Sequence, residues 1–229
     1  MWGKRRARAK PSVPTGRGRE STCAVHAIGD AACRAVLDAY QKAAGTPPSN
    51  ATAASPLRNR IEHAQLLHPD DLSRCAGLGV IASMQPIHAT SDMLIAERHW
   101  GARCAGAYAW RSLLEAGTAL AFGSDCPVEI PDPLAGIHAA VTRRRADGSP
   151  GPDGWRPEQR LSVEQAVSAY TLGAAYAGGR ERELGSIARG KLADLTILDR
   201  DIFAIGAEEI LGAKAAATIV GGRLVYDAL

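Results

Sequence analysis

Two histidines and an aspartate, His26, His63 and Asp125, each close a short apolar run: Thr22-Cys23-Ala24-Val25 before the first, Arg60-Ile61-Glu62 before the second, and Leu120-Ala121-Phe122-Gly123-Ser124 before the third. Imidazole nitrogens and carboxylate oxygens are donors that hold a divalent metal, zinc above all, and the same set also accepts iron, manganese or nickel. A carboxylate beside an activated water can take its proton and return it to a leaving group. Any one of these residues alone would read as a core or capping group. Together, at strand ends, they read as half of a metal site.

The elements that must carry them follow from the intervals. His26 and His63 are 37 residues apart, and His63 and Asp125 are 62 apart. These are about one and two strand-helix units of the roughly 30 residues found in a parallel eight-unit barrel, where chemistry sits at the carboxyl ends of the strands. Asp30 is an expected N-cap for a helix over 31–44, with Cys33, Val36, Leu37 and Tyr40 at helical spacing and Gly45 as the stop. Residues 46–56, rich in Pro, Ala, Ser and Thr, read as a loop. The second unit runs from Arg60–His63 into a helix over 69–78, where Pro69 suits the first helical position and Asp70 and Asp71 suit the positive end of the helix dipole. Alternation places Ile61 and His63 on one face of the strand and Glu62 on the other; if His63 looks into the barrel, Glu62 faces the helices and needs a cationic or hydrogen-bonding partner. A third strand follows over 80–84. The polar stretch after Gln85-Pro86, to about Arg103, is expected as a loop over the mouth, with His88 and Asp92 as substrate contacts. Residues 105–116 read as the third helix and 119–124 as the fourth strand.

The strings His26-Ala27-Ile28-Gly29-Asp30, Arg58-Asn59-Arg60-Ile61-Glu62-His63-Ala64-Gln65 and Gly123-Ser124-Asp125-Cys126-Pro127-Val128-Glu129 resemble the metal-dependent amidohydrolase superfamily, in its YtcJ-like family 3 branch. Similar stretches are Ser83-Met84-Gln85-Pro86, Tyr108 to Leu114, Gly185-Ser186-Ile187 and Gly190 to Leu195. The resemblance runs from about residue 21 to the end of the chain. It implies an α/β fold, the C-terminal half of a (β/α)8 TIM barrel (strands 5–8 with their helices), with the C-terminal part of a small β-sandwich. It implies half a barrel over 21–182 and sandwich segments over 183–229, after a basic arm over 1–20 whose composition reads as disordered. It also implies His26 and His63 as metal ligands from the fifth and sixth strands, and Asp125 as both metal ligand and catalytic proton carrier from the eighth. The His-x-His pair of the first strand and the bridging residue of the fourth have no counterpart, so the chain reads as truncated relative to that family.

Composition is that of an ordinary globular protein, 46% hydrophobic and 22% charged. Five cysteines, at 23, 33, 75, 104 and 126, show no Cys-x-x-Cys spacing and an odd count, which favours reduced thiols in the cytoplasm. The first twenty residues carry seven bases, Lys4, Arg5, Arg6, Arg8, Lys10, Arg17 and Arg19, against Glu20 alone. Without them 20 bases face 23 acids, a formal charge of −3, so the basic balance belongs to the arm. Such an arm could touch nucleic acid or acidic lipid by counterion release, but it reads more simply as solvated chain. No apolar run approaches the roughly 20 residues of a membrane span.

Downstream, helices are expected over 133–144 and 162–177, the second opened by a capping box of Ser162 and Gln165. Alternating β segments follow over 194–198 and 217–226, turning at Gly221-Gly222. Four parallel strands leave two open sheet edges, so a second copy of the chain or a separate N-terminal half is expected to cover them. Two functions fit. One is metal-dependent hydrolysis of a non-peptide carbon-nitrogen bond in a small amide-type substrate. The other is a catalytically silent fragment or structural subunit.

Overall fold

A computed structural model describes residues 22–44 and 57–228. The basic arm over 1–20, the stop at Gly45 and the loop over 46–56 fall outside the described residues. The chain is a mixed α/β fold built on a parallel sheet. Four strands, β1 (Ala24–Ala27), β2 (Arg60–His63), β3 (Ile81–Met84) and β4 (Leu120–Phe122), pair in sequence order and all in parallel. Each is followed by helix, as a parallel crossover requires.

Register sorts the side chains. Val25, Ile61, Ala82 and Leu120 lie side by side on one face, and His26, Glu62, Ser83 and Ala121 on the other. The first face is packed into the core. Helix α1 (Asp30–Ala44) covers it with Cys33, Leu37 and Tyr40, spaced four and three residues apart. Leu37 has no exposed surface, and burying such a side chain stabilises the fold by about 1.5–3 kcal/mol. The Tyr40 hydroxyl reaches two strand carbonyls, those of Cys23 and Arg60. Helix α2 (Pro69–Gly77) starts as its sequence predicts, with Pro69 in the first turn and the His68 side chain capping the Asp70 amide. Its buried Asp71 holds Arg34 of α1 at 2.8 Å and Arg74 at 2.9 Å, which ties the two helices together.

Two expectations are corrected. The stretch after Gln85 is not a loop: α3 (Pro86–Trp100) is a four-turn helix that buries Ala89, Met93 and Ala96 at positions four and three residues apart. Its exposed Leu94 and Ile95 sit beside those positions and blur the periodicity, which is why it reads as irregular. The third helix does not run unbroken through 105–116. A 3₁₀ turn over Gly101–Gly106 is followed by a short segment that bonds to the β2–α2 connection through Tyr108, and only then by α4 (Trp110–Glu115). The amide of Tyr108 donates to the Gln65 carbonyl, and Gly106 lies so close to Leu67 that an added Cβ would stand 2.0 Å from the Leu67 oxygen. Those backbone bonds outcompete helix continuation.

After α5 (Pro133–Thr142), the predicted capping box opens a helix that starts as α6 (Val163–Ser168), passes through a π-turn at Ala169–Gly173 and ends as α7 (Ala174–Ala177). The π-turn has a visible cause. The carbonyls of Ala119 and Met84 join β4 to β3, so the Leu120 carbonyl points to the opposite edge of β4, where a Cβ on Gly173 would lie 2.0 Å from it. The helix thus covers the outer edge of β4. The amides of Arg60 and Ala64 bond the carbonyls of Cys23 and Ala27, so the backbone groups of Ala24 and His26 face outward from β1, where no described strand pairs.

The chain closes with an antiparallel sheet of β5 (Leu195–Leu198), β6 (Ala215–Val220) and β7 (Arg223–Asp227). The hairpin between β6 and β7 turns at Gly221 and Gly222, both at positive φ as a tight turn of this hand needs. An apolar groove of about 1110 Å³, lined by Leu134, Ile137, Tyr170, Leu195, Ile202 and Phe203 among others, runs between this sheet and the helices α5 to α7. No helix among the described residues is long and apolar enough to cross a membrane.

Candidate active site

The carboxyl ends of β1, β2 and β3 bring three side chains to one place. His26 is exposed at the end of β1. Simple alternation would turn His63 to the helix side with Ile61, but His63 has φ 74° and Ala64 φ 43°. Left-handed backbone at non-glycine residues is uncommon and marks a constrained site. Here it breaks the alternation and brings the His63 ring edge-on to His26, with centroids 4.4 Å apart. Glu62, expected on the helix side, shares the face of His26 instead, and its cationic partner is Arg60 on the same strand.

Gln85, one residue past β3 and 6% exposed, places its Oε1 2.9 Å from His63 Nδ1. A carboxamide oxygen only accepts, so the ring donates from Nδ1 and keeps the lone pair of Nε2 for a ligand. This is how a metal-binding imidazole is held. Gln85 is not marked out by its residue type; the signal available in the sequence is its position at a strand end beside a helix-starting proline.

Asp125 stands apart from that pair. It follows Gly123-Ser124 beyond β4 and has φ 57°, with its carbonyl accepting from Val128 and Ser124 Oγ accepting from the Cys126 amide. This turn leaves the carboxylate 42% exposed, with Oδ2 3.9 Å from His88 Nε2. Among the described residues no three His, Cys, Asp or Glu side chains are grouped closely enough to hold a metal ion. Two adjacent imidazoles, those of His26 and His63, have the donor chemistry of a zinc-type site, and the side-chain contact of the Asp125 carboxylate is with His88.

His88 and Asp92 lie on α3, not on a loop. His88 is buried, its ring 5.8 Å from that of His63, and its Nδ1 has no hydrogen-bond partner. Burial lowers its pKa below the usual histidine value, against the opposing pull of Glu129, Asp92 and Asp125. Asp92 accepts a 2.7 Å hydrogen bond from the buried Tyr108 hydroxyl, whose own pKa is raised by burial and by that carboxylate. Tyr108 is fixed in turn: Arg143 Nη1 donates to its carbonyl, and its ring meets Trp110 and Trp155 edge-on. Arg143 has no exposed surface, stacks over the same two tryptophans, and is pushed down to about 9 by burial. Tyr108, Glu129 and Arg143 were not singled out from the sequence. A buried contact between distant segments reveals Tyr108 and Arg143, and the reach of Ser91 to its carboxylate reveals Glu129.

Residues 13–226 match the sequence profile of the amidohydrolase family. The chain belongs to the amidohydrolase family. It is 36% identical over 205 residues to the YtcJ protein of Bacillus subtilis (strain 168), which carries an amidohydrolase name, covering 89% of this chain and 37% of that protein. It is 31% identical over 206 residues to an N-substituted formamide deformylase of Arthrobacter pascens, covering 89% of this chain and 36% of that one. Among solved structures, a metal-dependent hydrolase of Pyrococcus horikoshii OT3 superposes with a TM-score of 0.69 at 31% identity, over 81% of this chain and 35% of that one. The chain therefore spans little more than a third of the length of these relatives.

Proposed function

We propose that the protein supplies the second half of a metal-dependent amidohydrolase barrel and acts in the hydrolysis of a non-peptide carbon-nitrogen bond in a small amide-type substrate. In this reading 21–182 are strands five to eight of a (β/α)8 barrel with their helices, and 183–229 are the C-terminal segments of a small β-sandwich. The observation that carries the reading is the His26–His63 pair, with the tautomer of His63 set by Gln85. A divalent metal, zinc in the first instance, would supply Lewis acidity and bring the pKa of a water toward ~7. His26 and His63 would hold it, with Asp125 as a third ligand. Asp125 takes the proton of the attacking water and delivers it to the leaving nitrogen. His88 and Asp92 stand on α3 next to this site, with His88 facing Asp125. The formamide deformylase among the relatives supports an amide as the substrate.

The outer edge of β1, next to His26, pairs with no strand among the described residues, which supports completion by a second copy of the chain or by a complementary N-terminal half. A cytoplasmic setting is consistent with five free cysteines. A second reading, a silent or structural subunit, draws on the absence of a three-donor group among the described residues. Elemental analysis of the purified full chain, with hydrolysis assays on N-formyl and cyclic amides, separates the two. One zinc per chain, lost in His26→Ala and in His63→Ala, supports the proposal. Metal-free protein that turns over no amide, alone or with a complementary half, refutes it.

A further inference from the structure

We infer that His88 is the positioning residue of Asp125: it serves the site by donating from Nε2 to the Asp125 carboxylate, and not by meeting substrate. The inference deepens the amidohydrolase reading and rests on it for its functional meaning, but its geometry stands alone.

Three observations carry it. His88 is 94% buried, since its exposure is 6%, and Nδ1 contributes no accessible surface and finds no partner. Its Nε2 faces Asp125 Oδ2 at 3.9 Å. Asp125 sits on strained left-handed backbone and is 42% exposed, so without a side-chain partner its carboxylate would sample several rotamers in solvent. A neutral imidazole carries one proton. On Nδ1 it would be a buried donor with no acceptor, which costs free energy, and Nε2 would turn a lone pair toward an anion. On Nε2 it faces the carboxylate, and only the weaker loss of an unfilled acceptor remains at Nδ1. Energetics therefore select the Nε2–H tautomer.

The scaffold supports that aim. His88 occupies the first turn of α3, with its amide bonded to the Gln85 carbonyl, so the residue that sets the tautomer of His63 also anchors the backbone that presents His88. Four residues on, Asp92 is held by Tyr108. The first two turns of α3 are thus pinned at Gln85 and Asp92, and His88 lies between those pins. The distance to Asp125 exceeds a formed hydrogen bond, as apo catalytic contacts commonly do before a site is loaded.

Two measurements on the full-length chain test the inference. Nitrogen-15 NMR of the His88 ring reads the tautomer directly: Nε2 protonated in the native chain, and that preference lost in Asp125→Ala. A ring protonated on Nδ1, or one indifferent to Asp125→Ala, overturns it. Zinc affinity in a double-mutant cycle reads the coupling. His88→Ala lowers affinity about 10-fold or more, as for outer partners of metal ligands, but has no further effect in an Asp125→Ala background. Additive losses overturn the inference. His88→Gln, whose Nε2 amide stands where the imidazole Nε2–H stood, restores zinc affinity, whereas His88→Asn does not. This pair also separates positioning from simple folding, because both variants carry the same carboxamide and only Gln is long enough to place its nitrogen at the Nε2 position. If the native chain binds no zinc, the metal reading fails, while the tautomer measurement still decides the role of His88.

Discussion

Removing the acceptor from Gln85 should uncouple metal binding from folding. In Gln85→Leu the side chain keeps its bulk and the residue 85 carbonyl still accepts from the His88 amide, so α3 keeps its start. What is lost is the 2.9 Å bond to His63 Nδ1, made by a side chain only 6% exposed. An unpaired buried donor costs about 1–3 kcal/mol, which His63 can relieve by rotating away. Rotation misdirects Nε2. Loss of such an outer partner lowers metal affinity about 10–100-fold, which is about 1.4–2.8 kcal/mol at 1.4 kcal/mol per decade. Competition for zinc against a chromophoric chelator measures this, with thermal melting as the control for folding. Gln85→Glu, which keeps an acceptor at the same place, should bind zinc at least as well as the native chain. A Gln85→Leu protein that melts like the native chain and binds zinc equally well would refute the idea that Gln85 orients His63.

Other outcomes follow from packing and burial. Leu37→Ala should destabilise the chain by about 2–5 kcal/mol, because the side chain is fully buried between α1 and the sheet; chemical denaturation reads this directly. Gly173→Ala should lower the melting temperature and loosen the helix over β4, since the new Cβ would collide with the Leu120 carbonyl; faster amide exchange at Leu120 is the signature, and native-like exchange would contradict it. His138 should make stability fall with acid. Burial lowers its pKa below the usual 6.5, against the pull of Glu208, so the unfolded chain takes up its proton first. Its contribution is complete above pH 6.5 and is lost as pH falls through the depressed value. His138→Gln should flatten that part of the stability curve.

Much of this was visible in the sequence because local physics and tertiary structure agree there. Pro69 with Asp70 and Asp71 starts α2, Ser162 with Gln165 caps α6, and Gly221-Gly222 turns the last hairpin. Strand ends at His26 and His63 were legible from apolar runs and their intervals. What the sequence hid depends on long-range contacts. Helix α3 hides because exposed Leu94 and Ile95 mask its buried stripe. The break at Tyr108 hides because its amide answers to Gln65, and the π-turn hides because Gly173 answers to Leu120. At the site, alternation predicts the wrong face for Glu62, since nothing local announces that His63 adopts left-handed backbone. The contact of Asp125 with His88 was equally hidden, since it needs the fold of α3.

Zinc-edge X-ray absorption on the full chain loaded with one equivalent of zinc tests the central claim most directly. Two imidazole nitrogens at about 2.0–2.1 Å are expected, falling to one in His63→Ala. A sulfur shell near about 2.3 Å, drawn from the cysteines, or a spectrum unchanged by His63→Ala, would contradict it.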